Sequence, residues 1–291
     1  MRFPVKTISL AVASAFIVFG CGKPEAPPPP PKAEQPAAPP PKPTLTVKIG
    51  HSAPLTGPQA HLGKDNENGA RLAIEEANAK KLGIGGAMVT FELLGEDDQA
   101  DPKQGTTVAQ KLIDAKVNGV VGHLNSGTTI PASKLYSDAG IPQISPSATN
   151  PKYTQQGFKT AFRVMANDEQ QGKVLGDYAT KQLAGKKIAI VDDRTAYGQG
   201  VADEFEKAAK AGGATIVARE FTNDKATDFA AILTKIKSKK PDMVMYGGMD
   251  AQAGPMAQQL KKLGIKSRML FADGGCTTEF HKLSGDAGEG H

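Results

Sequence analysis

Hydrophobic and polar positions alternate in two different periods along the chain from Thr44 onward. Short apolar runs, which are typical of buried strands, alternate with segments in which apolar residues recur every three or four positions, as in amphipathic helices. In the segment 66–80, for example, Ala70, Ile74 and Ala77 share one helical face. The pattern predicts strands at 45–50, 88–94, 119–122, 141–144, 187–191, 215–221, 242–246 and 269–271. It predicts helices at 66–80, 102–115, 200–211, 229–237 and 252–263, and a further helix capped by Thr128 or Thr129 that ends at Gly140.

The repeated strand–helix units indicate the fold class, because they favour parallel, doubly wound sheets flanked by helices. The residues from Thr44 onward are too many for one small core and suit two lobes. The chain passes from the first series of units to the second near 163–168. We therefore predict an α/β protein with two lobes, 44–165 and 166–291, each built on a mostly parallel sheet.

The N-terminal residues carry a different pattern. Arg2 and Lys6 lead into an uncharged apolar stretch at 7–20, which is typical of a secretory signal peptide and too short for a stable membrane anchor. The sequence VFGC at 18–21 resembles a bacterial lipobox, although Phe19 is bulkier than that pattern usually has. Lipidation of Cys21 would place the protein in the periplasm, anchored to the membrane. The alternative is a plain periplasmic signal with an incidental cysteine.

A proline-rich stretch follows, with 11 prolines among the 20 residues from Pro24 to Pro43. Such a stretch cannot form a core, and a polyproline II conformation of about 3.1 Å per residue makes it a semi-rigid spacer of roughly 60 Å. We predict that 21–43, which comprises the lipidated Cys21 and this linker, holds the folded part of the chain away from the membrane.

Charge and motif content argue against several classes of function. The net charge is +5, or +3 without Arg2 and Lys6, and the lysines are spread among acids, which does not indicate a nucleic-acid partner. The chain has no GxSxG, GxxxxGK[ST] or HExxH motif, and no GxGxxG after a strand. The histidines are scattered, and the acidic pair Asp97–Asp98 fits a helix-capping loop better than acid–base chemistry. We predict no catalytic residue, no metal site and no cofactor, and a lone thiol at Cys276.

Two hydroxyl-bearing loops form the candidate functional site. Residues 125–128 follow the strand predicted at 119–122, and residues 145–149 follow the strand predicted at 141–144. Open α/β sheets bind ligands at the carboxyl ends of adjacent parallel strands, and the first loop feeds a helix N-terminus, which favours an anionic group. Pro131 is predicted in the first turn of that helix. The alternative is an ordinary pair of capped turns, which use the same residue types.

The segment GHLNSGTTIPASKLYSDAGIPQISPSATNP, which contains both loops, resembles the matching segment of the periplasmic Leu/Ile/Val-binding proteins of ABC transporters. The stretches IGHSAPLTGPQAHLGKDNENGARLAIEEANA, EDDQADPKQG, IAIVDDRTAYGQG and MVMYGGMDAQAGPMAQQLKKLG resemble other blocks of that family. The resemblance implies a type I periplasmic binding protein fold and no enzymatic activity. It implies a monomer that captures an aliphatic, branched-chain amino acid between two lobes by hinge closure. It also implies delivery of that ligand to the membrane subunits of an ABC permease.

The resemblance also implies roles for individual residues. Buried charges require partners, so an amino-acid zwitterion needs hydrogen-bond donors for its carboxylate and acceptors for its ammonium group. Ser126 matches the family position that binds the carboxylate, while the Ser147 carbonyl and the Thr149 hydroxyl match those that bind the ammonium group. From the second lobe, Tyr197 matches the tyrosine that closes over the ligand, and Asp273 falls where the family commonly has an acid that pairs with the ammonium group. Without the resemblance, Tyr197 and Asp273 are better explained as turn residues before glycines.

The chain also departs from the family. Leu62 and Met249 fall where leucine-binding relatives carry tyrosines beside the side-chain pocket. Ala100 and Asn125 stand where the family often has a disulfide. The chain stops at His291, before the family's second crossover, so we expect uncovered apolar surface on the first lobe. The alternatives are a binding protein for a short amide, urea or an aromatic acid, and an amino-acid-sensing regulatory lipoprotein that works without a permease.

Overall fold

Two sheets organise the computed structural model, which describes residues 42–291. The first sheet has six strands in the order β2-β3-β1-β4-β5-β6, and the second has four in the order β10-β9-β7-β8. All pairings are parallel except that of β2 with β3. The strands are β1 Thr44–Ala53, β2 Gly83–Ile84, β3 Ala87–Asp97, β4 Gly119–Gly122, β5 Gln143–Ser145, β6 Ala161–Arg163, β7 Lys187–Asp192, β8 Thr215–Phe221, β9 Met243–Gly247 and β10 Arg268–Phe271.

Helices connect the strands, with a π-helix at Tyr178–Gln182 and 3-10 turns at Asp273–Gly275 and Gly285–Gly288. The α-helices are α1 Ala60–Ala79, α2 Pro102–Asp114, α3 Ser126–Asp138, α4 Lys152–Gln155, α5 Asp168–Asp177, α6 Ala196–Ala211, α7 Ala230–Lys239, α8 Asp250–Lys262 and α9 Thr278–Ser284. Two parallel sheets flanked by helices confirm the predicted α/β fold. We call the part built on the first sheet the first lobe and the part built on the second sheet the second lobe.

The predicted signal peptide and Cys21 lie outside the described residues, as does all of the predicted linker except its last two positions. Within the described range, the two lobes belong to one compact unit, Lys42–His291. None of the helices in that range is both long enough and apolar enough to span a bilayer.

The second lobe is covered on both faces of its sheet. Ile188 and Ile190 of β7 pack with Met245 on one face, while Ala189 and Val191 pack with other side chains on the opposite face. This alternation follows from the two-residue period of a strand. In the first lobe a core cluster lies against α2 and α3, including Leu112, Val120 and Tyr136. Apolar surface is exposed at the edge of that lobe, where Ile144 and Phe162 face each other across β5 and β6 with 41% and 50% exposure.

The predicted strands are all present, but three helices begin at least three residues earlier than predicted. α1 begins at Ala60 instead of residue 66; its first turns contact the Pro54 backbone through Gly63, so this part of its packing face carries no side chain to detect. α6 begins at Ala196 instead of residue 200.

The third of these helices is α3, and the predicted caps were wrong. It begins at Ser126 with Asn125 as the N-cap residue. Thr128 and Thr129 lie inside its first turn, where their hydroxyls donate to the Asn125 carbonyl at 3.1 and 2.8 Å. Pro131 therefore lies beyond the first turn.

Some elements were not predicted at all, namely β2, β6, α4, α5 and α9. Most are too short for a periodic signal. The exception is α5, which follows the predicted crossover and packs against α6 through glycines. A Cβ on Gly172 would lie 2.5 Å from Glu204 Cβ and 2.6 Å from Phe205 N. The two helices can therefore pack this closely only because residue 172 has no side chain. Hydrophobic periodicity does not register a face made of glycine.

Substituting this glycine should destabilise the fold, in contrast to an unconstrained helical glycine. We expect Gly172→Ala to lower the free energy of unfolding by about 1–3 kcal/mol through overpacking. Gly69→Ala is the matched control, because Gly69 lies inside α1 and a Cβ added there would meet nothing within 4 Å. That variant should be about 0.5–1 kcal/mol more stable than the parent. Urea unfolding midpoints measure both effects, and equal stabilisation by the two substitutions would contradict the close packing of α5 on α6.

Candidate functional site

A small cavity of about 90 Å³ lies between the two lobes, at the carboxyl ends of their strands. In each sheet the strand order reverses at one central strand, β1 or β7, and such switch points create a crevice for ligands. Six of the seven predicted ligand-binding residues line the cavity: Leu62, Ser126, Ser147, Tyr197, Met249 and Asp273. Four further residues line it that were not predicted to bind ligand: Asn66, Leu124, Asn125 and Gly274.

The first-lobe wall is built around the start of α3. Ser126 is the first residue of this helix, is almost fully buried, and accepts a hydrogen bond from Asn150 N at 3.1 Å through its Oγ. The first N–H groups of a helix lack intrahelical partners. The side chain of the N-cap residue, Asn125, makes no capping hydrogen bond to these N–H groups. This helix start can therefore receive an anionic group.

The loop after β5 forms the neighbouring part of this wall. The Ser145 hydroxyl orders it, donating to the His123 carbonyl at 2.7 Å and accepting from Ala148 N at 2.9 Å. Ser147 donates its hydroxyl to Asn66 Oδ1 at 2.8 Å. Thr149 lies behind the cavity lining and is fully buried; in the described part of the chain its Oγ1 has no hydrogen-bond partner. Parallel pairing of β4 with β5 brings this loop beside the start of α3, as predicted.

The second-lobe wall is held together by Tyr197. This residue is the second residue of α6 and is buried, so it belongs to a helix and not to a loop before a glycine. Its hydroxyl donates to Asp273 Oδ1 at 2.9 Å and accepts from Gly274 N at 2.9 Å. Met249 is the N-cap residue of α8 and, like Tyr197, belongs to the core of the second lobe. The first-lobe residue Leu62 packs against this core.

Asp273 is an acid whose protonation is sensitive to its surroundings. The residue as a whole is solvent-exposed, but it lines the crevice together with residues of both lobes. Desolvation of its carboxylate raises the pKa of Asp273, and the hydrogen bond from Tyr197 opposes the shift. A cation that entered the cavity would restore the charged form of this carboxylate.

Asp168 is a second acid near the cavity, and sequence reasoning did not identify it. It is the first residue of α5 and is completely buried, and neither carboxylate oxygen has a hydrogen-bond partner within residues 42–291. Its backbone N–H donates to the Thr149 carbonyl at 2.9 Å. Burial raises the pKa of Asp168 to about 7, and the negative charge of Asp273 adds to this rise, while the positive charge of Arg163 opposes it. The only sequence signal is an acid directly after the N-cap residue Asn167, which is common at helix starts.

A buried polar cluster supports the site from within the first lobe. His123 Nδ1 lies 2.9 Å from Asp98 Oδ2 and 2.9 Å from Ser52 Oγ, and its Nε2 lies 3.1 Å from Tyr136 OH. All four side chains are inaccessible to solvent. The cluster therefore anchors the His123–Asn125 loop instead of contacting a ligand. Asp97 accepts from the backbone of Leu55 and Gln99, which supports the predicted structural role of this acidic pair.

Across the described range, no three His, Cys, Asp or Glu side chains come close enough together to hold a metal ion. Cys276 is exposed and is free of disulfide bonding in the same range.

The chain is similar to known proteins over most of its length. Residues 46–291 match the model of a family described as periplasmic binding protein. A curated relative from Brucella abortus, named Leu/Ile/Val-binding protein homolog 1, is 41% identical over 83% of this chain and 64% of its own length. The Leu/Ile/Val-binding protein BraC3 of Rhizobium johnstonii is 39% identical over 84% of this chain and 66% of its own length. The chain thus spans about two thirds of the length of these relatives.

Solved structures show the same fold. The branched-chain amino acid transporter substrate-binding protein LivJ from Streptococcus pneumoniae, in complex with isoleucine, has a TM-score of 0.74 and 32% identity. The match covers 83% of this chain and 68% of that protein. The leucine-binding protein LivK from Thermotoga maritima has a TM-score of 0.75 and 27% identity, over 83% of this chain and 67% of that protein.

The buried carboxyl of Asp168 should make the stability of the ligand-free protein depend on pH. Its pKa in the folded state, about 7, exceeds the ordinary value of 3.8, so the folded protein holds this proton more tightly than the unfolded chain. Stability should therefore fall as the pH rises from about 4 to about 7, with a contribution of about 2–3 kcal/mol between pH 5 and pH 8. Asp168→Asn should remove this contribution.

Thermal or urea unfolding at the two pH values measures the slope. Asp177→Asn is the control, because Asp177 is paired with Lys173 and Lys181 on the same helical segment and its pKa is lowered by them. Its titration therefore lies below this pH window, and the control should keep the parental slope. An unchanged slope in Asp168→Asn would contradict the raised pKa.

Proposed function

Since this chain belongs to the periplasmic binding protein family, we propose that it captures an aliphatic, branched-chain amino acid between its lobes. We propose that the lobes are 44–165 and 166–291 and that they close around the ligand at the hinge near 163–168. The bound amino acid would then be delivered to the membrane subunits of an ABC permease. The names of the relatives, which are Leu/Ile/Val-binding proteins, support this ligand class.

One observation carries the proposal, namely that the cavity has groups of opposite electrostatic character on its two walls. The first-lobe wall offers the start of α3 and the Ser126 hydroxyl, which suit a carboxylate. The second-lobe wall offers Asp273, which suits an ammonium group. An α-amino acid carries both charges one carbon apart, so a single ligand can satisfy both walls and bridge the lobes.

Groups behind the lining complete the proposed ammonium site. The Ser147 carbonyl and the Thr149 hydroxyl would accept from the ammonium group, and among the described residues the Thr149 Oγ1 has no other partner. Asp168, next to Thr149, is a further acid on this side of the cavity; burial raises its pKa to about 7, and a nearby ammonium group would favour its charged form. Tyr197 would hold Asp273 in place through its 2.9 Å hydrogen bond.

The apolar part of the lining would hold the ligand side chain. It consists of Leu62, Leu124 and Met249, and it suits an aliphatic group. Two amides, Asn66 and Asn125, lie in the same lining. They favour a second candidate, a short amide ligand, because a site built with polar groups discriminates in favour of ligands that pair with them.

We further propose that the protein is anchored in the periplasm through Cys21, with 21–43 as a tether. Stable anchoring requires more than one acyl chain, which bacterial lipoproteins carry. Cys21→Ser should then move the protein from the membrane pellet to the soluble periplasmic fraction. Fractionation of cells that express each variant measures this, with Cys276→Ser as the matched control. Identical membrane association of the two variants would refute the lipid anchor.

The function is tested through Asp273 and the charge of the ligand. We expect Asp273→Asn to weaken leucine binding by about 2–5 kcal/mol, because the ammonium group would be buried without its ion partner. The deamino analogue 4-methylpentanoate should lose much less affinity, or gain some, since it has no ammonium group. Isothermal titration of both ligands against both proteins gives a double-mutant cycle.

The control for this cycle is Asp286→Asn, since the Asp286 side chain is 86% exposed and lies outside the cavity lining. It should leave both affinities unchanged. Equal losses for the two ligands in Asp273→Asn would mean that this acid only shapes its turn, and the short-amide candidate would then be preferred.

A further inference from the structure

A polar contact joins the two lobes outside the cavity lining. His61 lies at the start of α1 in the first lobe, and Asp250 is the first residue of α8 in the second lobe. The His61 Nε2–H donates to Asp250 Oδ2 at 2.7 Å. The Asp250 side chain is completely buried, while the His61 side chain keeps 34% of its exposure. The contact is therefore partly shielded from water, which makes it stronger than a surface pair.

Asp250 is positioned by its own lobe. The Thr277 hydroxyl donates to Asp250 Oδ2 at 2.6 Å, and the same hydroxyl caps α9 by accepting from Phe280 N at 3.1 Å. The second oxygen, Oδ1, is buried and makes no hydrogen bond within residues 42–291. A buried carboxylate with so few donors gains from each one it can recruit. His61 is the donor that the opposite lobe supplies.

The contact lies one residue away from the apolar lining of the cavity. Leu62 follows His61 in the chain, Met249 precedes Asp250, and both of these neighbours line the cavity. A second contact between the lobes lies near the crossover, where Asn150 Nδ2 donates to the Ala196 carbonyl. Asn150 and Asp168 both lie close to Gly200 in this region. Movement of the lobes about the crossover would therefore separate His61 from Asp250.

We propose that His61 and Asp250 form a latch that sets how long a bound amino acid stays in the protein. This rests on the proposed function, in which the ligand enters the open form and the lobes then close. In that scheme the lobes are apart when the ligand enters, so His61 and Asp250 would be separated and would not affect its entry. The latch must break before the ligand leaves, so it slows release. His61 and Asp250 are positioning residues, since they act through lobe closure without touching the ligand.

The test measures association and release rates separately. The probe is whichever of L-leucine, L-isoleucine and L-valine binds the purified protein most tightly, used in radiolabelled form with an unlabelled chase. His61→Ala should raise the release rate about 5- to 30-fold, the effect of a partly shielded hydrogen bond to a charged group. The association rate should stay within about twofold of the parental value. His61→Gln keeps an N–H donor and should recover part of the slow release.

Two further variants isolate the pair. The double variant His61→Ala/Asp250→Asn should release the ligand no faster than the faster-releasing of the two single variants, because both substitutions remove the same contact. His281→Ala is the matched control, since His281 is an exposed histidine of α9 in the second lobe, and it should leave both rates unchanged.

The possible results separate the latch from the proposed function. An unchanged release rate in His61→Ala, or independent effects of the two single substitutions, would overturn the latch while leaving amino-acid binding intact. A fall in the association rate that matches the loss of affinity would also overturn it. Failure of the parent protein to bind any of the three amino acids would overturn the proposed function, and the latch with it.

Discussion

Parallel strand pairing is the constraint on which the rest of this structure depends. In a parallel sheet every strand-to-helix connection emerges at the same edge, so residues far apart in sequence meet there. In the first lobe this brings the start of α3 beside the loop that contains Ser147. In the second lobe it brings Tyr197, Met249 and Asp273 together. The cavity lies where these two edges face each other.

The meeting of the two edges leaves polar atoms without partners. Within residues 42–291, the Thr149 hydroxyl and both oxygens of Asp168 are buried and lack hydrogen bonds. Such groups cost free energy in the ligand-free protein. Under the proposed function, a bound ammonium group would supply partners to these groups, and that gain would offset the cost. Asp273 on the second-lobe side and the start of α3 on the first-lobe side give the two walls of the cavity opposite electrostatic character.

Sequence patterns predicted the parts of this arrangement that rest on side-chain periodicity. The strand at 119–122 was predicted at its observed position, because an apolar run is a direct consequence of burial on both sides of a sheet. The strand at 215–221 was also predicted at its observed position, although its residues are only partly buried or exposed. The two loops at the carboxyl ends of β4 and β5 were predicted for the same reason. Six of the seven predicted site residues do line one cavity. For Leu62, Tyr197, Met249 and Asp273, however, the prediction depended on the resemblance to a family.

What the sequence did not reveal rests on backbone contacts and on burial of isolated groups. α5 packs through Gly172, and α1 begins against the Pro54 backbone at Gly63, and neither contact leaves an apolar period. Asp168 looks like any acid at the start of a helix, and only the three-dimensional structure shows that it is buried beside Thr149. The pair His61–Asp250 spans 189 positions of sequence, so no local pattern can indicate it.

The most direct test of the central claim is a thermal-unfolding screen of the purified protein against the twenty amino acids and a set of short amides and aromatic acids. A ligand that binds only the folded state raises the melting temperature, and the increase grows with the logarithm of the ligand concentration divided by Kd. The account predicts the largest increase with L-leucine, L-isoleucine or L-valine, and a smaller increase with their deamino analogues at equal concentration. An increase with an amide or an aromatic acid, and none with any aliphatic amino acid, would contradict it.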